Sequence, residues 1–288
     1  MNLSRRRVST LTCAYFLRYP FKIGQRLFLV MSNGLIRMPY TNEYLKVTNE
    51  LANNKKYFNI NYENYIHEDK EDPDSYNAIP EWTQDKLNES SILLDAGCGS
   101  GIISKAFKNK YNLDNTIGFD ISNEMCYKAK KESYIDNIIQ CDIVNLPFRE
   151  KIVDMIYINC VFHHLVSNSR RESKELVKKV IKNFLNIVNK NGYVYIREIY
   201  YESYFDELLT NYIIFYLLYI IKIVKTVLKN RNYLLVNFYS RKELENLIHI
   251  SGAKIVKKIS YSRKTNLLER IALTKEKGSM WHLITSQD

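Results

Sequence analysis

Strand-sized and helix-sized apolar patterns alternate along this 288-residue chain, which predicts an α/β fold with a mostly parallel sheet covered by helices on both faces. Three observations carry that expectation. Short apolar runs separate helix-phased stretches from residue 92 onward. The first run, Ile92–Ala96, enters a glycine-rich turn and then a helix. A long middle helix, Arg170 to about Asn189, repeats Leu176, Val177, Val180, Ile181, Phe184, Leu185 and Val188 at three-and-four spacing.

Each element follows from local signals. Ile102–Asn109 reads as a helix, and Thr116–Phe119 as a strand ending at Asp120. Ser122–Ser133 is helical, Ile138–Gln140 a short strand, and Val153–Asn159 a buried one. Ser169-x-x-Glu172 offers a capping box for the long helix, and Asn191-Gly192 a stop. Tyr193–Ile199 makes a fifth strand, and a second Ser-x-x-Glu box at Ser240–Glu243 opens a helix ending at Gly252. Strands are expected at Lys254–Ser260 and Arg270–Thr274, joined without a helix, so the last of seven strands runs antiparallel.

Composition narrows the class. Apolar residues at 46% and charged residues at 25% exclude a disordered or fibrous chain. Five cysteines with no C-x-x-C pair give no disulfide framework and no metal site, so a reducing, cytoplasmic setting is expected. Residues 1–42 hold seven basic residues and no acid, which accounts for seven of the eleven net positive charges. The remainder lacks a basic stripe interleaved with aromatics, so no nucleic-acid partner is expected. The many Tyr, Asn, Ile and Lys residues share A/T-rich codons, an explanation that requires no aromatic binding surface.

The chain divides into a basic extension at 1–40, a helical lead-in at 41–90, a main domain at 91–275 with an apolar insert at 203–232, and a tail at 276–288. The extension fits an organellar transit peptide, a basic amphipathic helix on a membrane, or an over-extended start before Met31 or Met38.

The most informative stretch is Asp95-Ala96-Gly97-Cys98-Gly99-Ser100-Gly101, a strand end leading through three glycines into a helix. Glycine suits a sharp turn where a ligand approaches the backbone. Ile102 stands where a dinucleotide loop of the form G-x-G-x-x-G would place its third glycine. Asp95 beside the loop suits a cationic amine and would repel a pyrophosphate. Asp120, 23 residues after Gly97, can accept from ribose hydroxyls or cap the next helix. Asp142 can accept from the adenine amine with Ile121 and Ile143 sandwiching the ring, or it is a surface turn residue.

The order DAGCGSG…GFDIS…CDIVNLPF…VDMIYINCVFHHL…NGYVYIRE resembles the class I S-adenosylmethionine-dependent methyltransferases, in the small-molecule group that includes the ubiquinone and menaquinone enzymes. The likeness spans about residues 90–200. It implies a Rossmann-like fold: a mostly parallel seven-stranded sheet, helices on both faces and an antiparallel last strand. It implies S-adenosyl-L-methionine as cofactor, with Asp95, Gly97, Gly99 and Gly101 at the methionine moiety. Asp120 would then take the ribose, Asp142 the adenine amine, and Asn159 would line the site.

His163 and His164 follow the fourth strand at the ligand-binding edge, where either could act as general base or serve a structural purpose. Glu198, Tyr200, Tyr201 and Glu202 end the fifth strand on the same edge as lesser candidates. The insert holds ten consecutive apolar or aromatic residues, Tyr212–Ile221, fewer than the ~18 of a membrane span. It reads as a lid, an interfacial membrane segment at 208–228, or a packed helix with no ligand role. The expected activity is methyl transfer to a small, apolar or lipid-like acceptor. The competing expectation is a non-catalytic scaffold or assembly factor retaining the fold.

Overall fold

The computed structural model describes residues 52–61, 83, 86–132, 135–206, 208–228 and 233–287. The expectations for 1–40, and those for most of 41–90, lie outside the described residues. A helix, α1, covers 52–61. It is followed by β1 (Ile92–Ala96), α2 (Ile102–Tyr111), β2 (Asn115–Asp120), α3 (Asn123–Lys131), β3 (Asn137–Gln140) and β4 (Val153–Asn159). A single 3-10 turn, Phe162–His164, precedes α4 (Arg170–Ile187), β5 (Val188–Ser203) and α5 (Leu209–Val227). The chain closes with α6 (Arg241–Ile250), β6 (Ala253–Arg263), α7 (Leu267–Ile271) and β7 (Thr274–Ser286).

The seven strands form one sheet in the order β3-β2-β1-β4-β5-β7-β6. The first five pair in parallel, and β7 runs antiparallel to both β5 and β6. Strand alternation divides the core between two faces. Leu94, Ala96, Ile156 and Ile158 pack with Val177, Val180, Ile181 and Phe184 of α4 and Leu244 of α6. Leu93, Met155 and Tyr157 face the other way onto Ile102, Ile103 and Phe107 of α2. Helices thus cover both faces, as the alternating pattern predicts.

Three local expectations change. The strand expected at Arg270–Thr274 lies later, at Thr274–Ser286, so residues read as a tail form the strand between β5 and β6. The cause is a complete capping box that the sequence reading passed over: Asn266 accepts from the Glu269 amide while the Glu269 carboxylate accepts from the Asn266 amide, starting α7. β6 and β7 are therefore joined through a helix. Asn191-Gly192 does not stop α4, which ends at Ile187 and passes directly into β5. Gly192 instead sits in an irregularity of the β4–β5 pairing, where a Cβ would lie 2.5 Å from Val188 Cγ2 and 2.7 Å from the Asp154 carbonyl oxygen.

One buried cation joins the later elements. Arg170, the first residue of α4, is 2% exposed. Its Nη2 donates to both Glu243 oxygens of α6 at 2.9 and 2.8 Å, a bidentate pair. Its Nη1 donates to the carbonyl of Asn211 in α5 at 3.3 Å, to the carbonyl of Phe238 at 3.0 Å, and to the Asn237 side chain. The guanidinium also lies over the Tyr212 ring, 4.8 Å from its centroid. Replacing Glu243 with alanine leaves a buried cation without its counter-ion. Urea unfolding of Glu243→Ala should show a loss of ~3–5 kcal/mol.

Candidate functional site

Parallel strand order reverses between β1 and β4, the place where an open α/β sheet leaves a crevice at its carboxyl edge. A cavity of about 710 Å³ opens there. Asp95, Gly97, Gly99, Asp120, Ile121, Asp142 and Ile143 line one half of it. Asn159, His163 and His164 line the other. Gly101, expected among the ligand-holding glycines, is not on the wall. It is the N-cap of α2 at φ 81°, and a Cβ there would meet Ile135 and Ala129 behind the loop at 3.1–3.3 Å. Its purpose is to turn the chain into α2.

The loop is fixed by β2. The Gly97 and Cys98 amides both donate to the Phe119 carbonyl at 2.9 Å, and the Gly99 amide donates to Asp120 Oδ2 at 3.0 Å. Gly97 has φ 71°, and a Cβ there would lie 2.6 Å from Val161 Cγ2, so backbone conformation and space both demand glycine. No side chain caps α2, which leaves its first turn as a donor surface for a ligand.

The three acids divide their work. Ser104 donates its hydroxyl to Asp95, which is 3% exposed at the end of β1. Asp120 accepts from the Gly99 amide on one oxygen and from the Ser122 amide, at 2.8 Å, on the other. A carboxylate has about four acceptor positions, so two remain for a pair of ribose hydroxyls. Ser122 itself caps α3, accepting from the Met125 amide at 3.3 Å, so the capping alternative for Asp120 falls to its neighbour. Asp142 uses Oδ1 for the Val144 amide at 2.9 Å. Its Oδ2 is buried with no hydrogen-bond partner among the described residues. An unmet buried acceptor costs ~1–3 kcal/mol, and a ligand N–H would remove that cost. Burial raises the carboxyls of Asp120 and Asp142 above their ordinary values, and backbone amides oppose that rise. An adenosine with an ammonium-bearing tail matches this set: an amine for Asp142, hydroxyls for Asp120, a cation for Asp95, and the apolar Ile121 and Ile143 for the ring.

The other half was only partly legible. His163 Nδ1 lies 2.6 Å from Glu198 Oε1, with both side chains buried. The carboxylate also accepts from the His163 and Ile199 amides at 3.3 and 2.8 Å. A carboxylate at Nδ1 makes that nitrogen the donor, which leaves Nε2 with its lone pair. Asn159 lies opposite Arg197 in the β4–β5 register and accepts from its Nη1 at 3.0 Å. Aromatic rings form a chain along this wall. Phe58 of α1 meets His164 at 4.9 Å, the two histidines lie 4.0 Å apart, and Phe238 sits 5.1 Å from His163 and 4.7 Å from Tyr201. Asn54 of α1 donates to the carbonyls of His164 and Leu235 at 3.1 and 3.3 Å. Phe58, Asn54 and Phe238 carried no local signal in the sequence, being brought to the site by distant segments.

Burial, reinforced by the neighbouring imidazole of His163, holds His164 well below the ordinary histidine value. Unfolding releases it to titrate near ~6.5, so below that pH the unfolded chain binds the extra proton. The stability associated with neutral His164 is therefore complete above ~6.5 and is lost as pH falls beneath it. Urea unfolding at pH 7.5 and 5.5 should show a smaller loss on acidification for His164→Gln than for the unsubstituted protein.

Comparison with known proteins agrees with the geometry. Residues 94–196 match the family model described as a methyltransferase domain. A tRNA (carboxymethyluridine(34)-5-O)-methyltransferase of Arabidopsis thaliana is 33% identical over 116 residues, covering 39% of this chain and 25% of that protein. A malonyl-[acyl-carrier protein] O-methyltransferase of Hamiltonella defensa is 37% identical over 71 residues, covering 25% of this chain and 27% of that protein. The matched part thus spans about a quarter of the length of these curated relatives. The solved structure of a SAM-dependent methyltransferase from Methanosarcina mazei superposes with a TM-score of 0.52 at 15% identity, covering 72% of this chain and 98% of that one. Residues 94–196 thus match a methyltransferase domain, and the sheet has the fold of solved SAM-dependent methyltransferases.

Proposed function

We propose that the protein transfers a methyl group from S-adenosylmethionine to a small apolar acceptor, with His163 as general base positioned by Glu198. The observation that carries the cofactor assignment is the buried, unpartnered Asp142 Oδ2 in the same cavity as the glycine loop and Asp120. The acceptor class follows from the opposite half of the cavity, where Phe58, Tyr201, Leu218, Val236 and Phe238 contribute to the wall.

When bound, S-adenosylmethionine supplies an electrophilic methyl group on a sulfonium. What remains for the chain is to orient, to exclude water and to remove a proton from acceptors that carry one. The loop and the three acids fix the nucleoside end. The aromatic wall excludes water and holds an apolar acceptor at the carboxyl end of β4. His163 Nε2 takes the acceptor's proton, and the Glu198 carboxylate stabilises the imidazolium so formed while fixing the ring. His164, kept neutral, serves as a wall of the pocket between Phe58 and His163.

Two measurements test this. In calorimetric titration, S-adenosylhomocysteine should bind at micromolar level and NAD should not bind. Asp142→Ala and Asp120→Ala should each weaken that binding by more than ~1.5 kcal/mol, the worth of a charge-assisted hydrogen bond. Unchanged affinity would remove the nucleoside assignment. Turnover is then read as S-adenosylhomocysteine release with a panel of apolar acceptors bearing O–H, N–H or acidic C–H groups. His163→Asn should lower kcat by ~10²-fold or more with the cofactor affinity intact, and Glu198→Gln should lower kcat and displace the pH profile. Tight cofactor binding without turnover across the panel would favour a scaffold that keeps the fold.

A further inference from the structure

Among the described residues, α5 is long and apolar enough to cross a membrane by length and composition, yet little of it packs against the body. Its first turns are anchored: Thr210, Asn211 and Phe215 are fully buried, and Arg170 grips the Asn211 carbonyl. Leu218 and Tyr219 still pack against the Phe215 cluster. Beyond them the helix leaves the body, and Ile220, Val224 and Val227 are 57%, 51% and 76% exposed. About eight residues project, or roughly 12 Å of helix, against the ~30 Å of a bilayer core. That length fits the interface and does not span it.

A second apolar element adjoins the base of α5. Leu267, Leu268 and Ile271 of α7 are 74%, 75% and 69% exposed. The Tyr204 amide, on the segment entering α5, donates to the Leu273 carbonyl just after α7 at 3.2 Å. Phe205, beside it, is 81% exposed. Charge around these residues is mostly positive, with Asp206 beside Phe205 as an exposed acid. Arg263, Lys264, Arg270 and Lys275 are exposed, whereas Glu269 turns inward to Lys277 and Glu276 to Tyr200 and Arg241. α5 contains Lys222 and Lys225 and no acid. Apolar tips ringed by cations complement an anionic lipid surface, where side chains enter the acyl boundary and the cations meet headgroups.

We infer that the protein docks on anionic membrane surface through the projecting part of α5 and the α7 tip. Leu218 of α5 and Arg263 at the end of β6 both border the cavity, so docking brings its mouth to the lipid. Delivery of an apolar acceptor by that route rests on the methyl-transfer reading; the docking itself does not.

Full-length protein is sedimented with vesicles of phosphatidylcholine alone and of phosphatidylcholine with phosphatidylglycerol. It should partition to the anionic vesicles, and added salt should weaken the binding. Leu267→Glu with Leu268→Glu, and separately Ile220→Glu with Val224→Glu, should each lower the partition coefficient about tenfold or more. Lys264→Glu with Arg270→Glu should erase the preference for anionic lipid while leaving the apolar tips in place. S-adenosylhomocysteine titration of each variant reports on the folded cofactor site independently of lipid. No sedimentation with either vesicle, or sedimentation unchanged by both apolar pairs, overturns the proposal. So does a dimer in sedimentation equilibrium that the apolar pairs dissolve, which would make the occupant a second copy.

Discussion

A single buried guanidinium decides how the second half of the molecule is assembled. Arg170 reaches α5, α6 and the 237–238 segment at once, and of these α5 and the 237–238 segment contribute to the cavity wall through Leu218 and Phe238. Asn237, which the guanidinium holds by its side chain, donates its own amide to the His163 carbonyl at 2.8 Å. The histidine turn is thereby braced from behind by the same cluster that anchors the projecting helix. A desolvated cation permits little looseness in such an arrangement, because every donor without a partner carries the cost of burial.

The two halves of the cavity are built on different principles. The glycine-loop half comes from consecutive strand ends, with Asp95 at the end of β1, Asp120 at the end of β2 and Asp142 after β3. Parallel pairing places those ends side by side at one edge, so order along the chain becomes order in space. The histidine half is assembled across long separations: Glu198 lies 35 residues from His163, and Asn54 lies 181 residues from the Leu235 carbonyl it holds.

That difference explains what was legible. Spacing alone exposed the glycine loop and its acids, because their geometry is local to one strand–turn–helix unit. Glu198 was visible as a strand-end acid, but nothing nearby in sequence announces His163 as its partner. Phe58 sits in a polar stretch and Phe238 in a short apolar one, and neither has a local pattern that aims it at a pocket. The misplaced last strand has a different origin. Arg270–Thr274 has apolar content fitting a strand, but the reciprocal bonds between Asn266 and Glu269 favour one helical turn first, and Thr274–Ser286 pairs in its place. Gly192 shows the same competition, since Asn-Gly suits a helix end and also a bulge beside a neighbouring strand.

The contacts of α1 carry one more consequence. It is tied to the glycine-loop half through Asn59, whose side-chain oxygen accepts from the Ser122 hydroxyl at 2.7 Å. It is tied to the histidine half through Asn54, and to Tyr233 through Asn53 at 3.1 Å. The helix is a strap whose ends are both fastened by hydrogen bonds of modest net worth, ~0.5–1.5 kcal/mol each. Asn54 and Phe58 also face the cavity, so whatever fills it gains contacts only while the strap is fastened. Linkage makes the relation reciprocal: ligands lengthen the strap's residence by the factor with which the strap retains them.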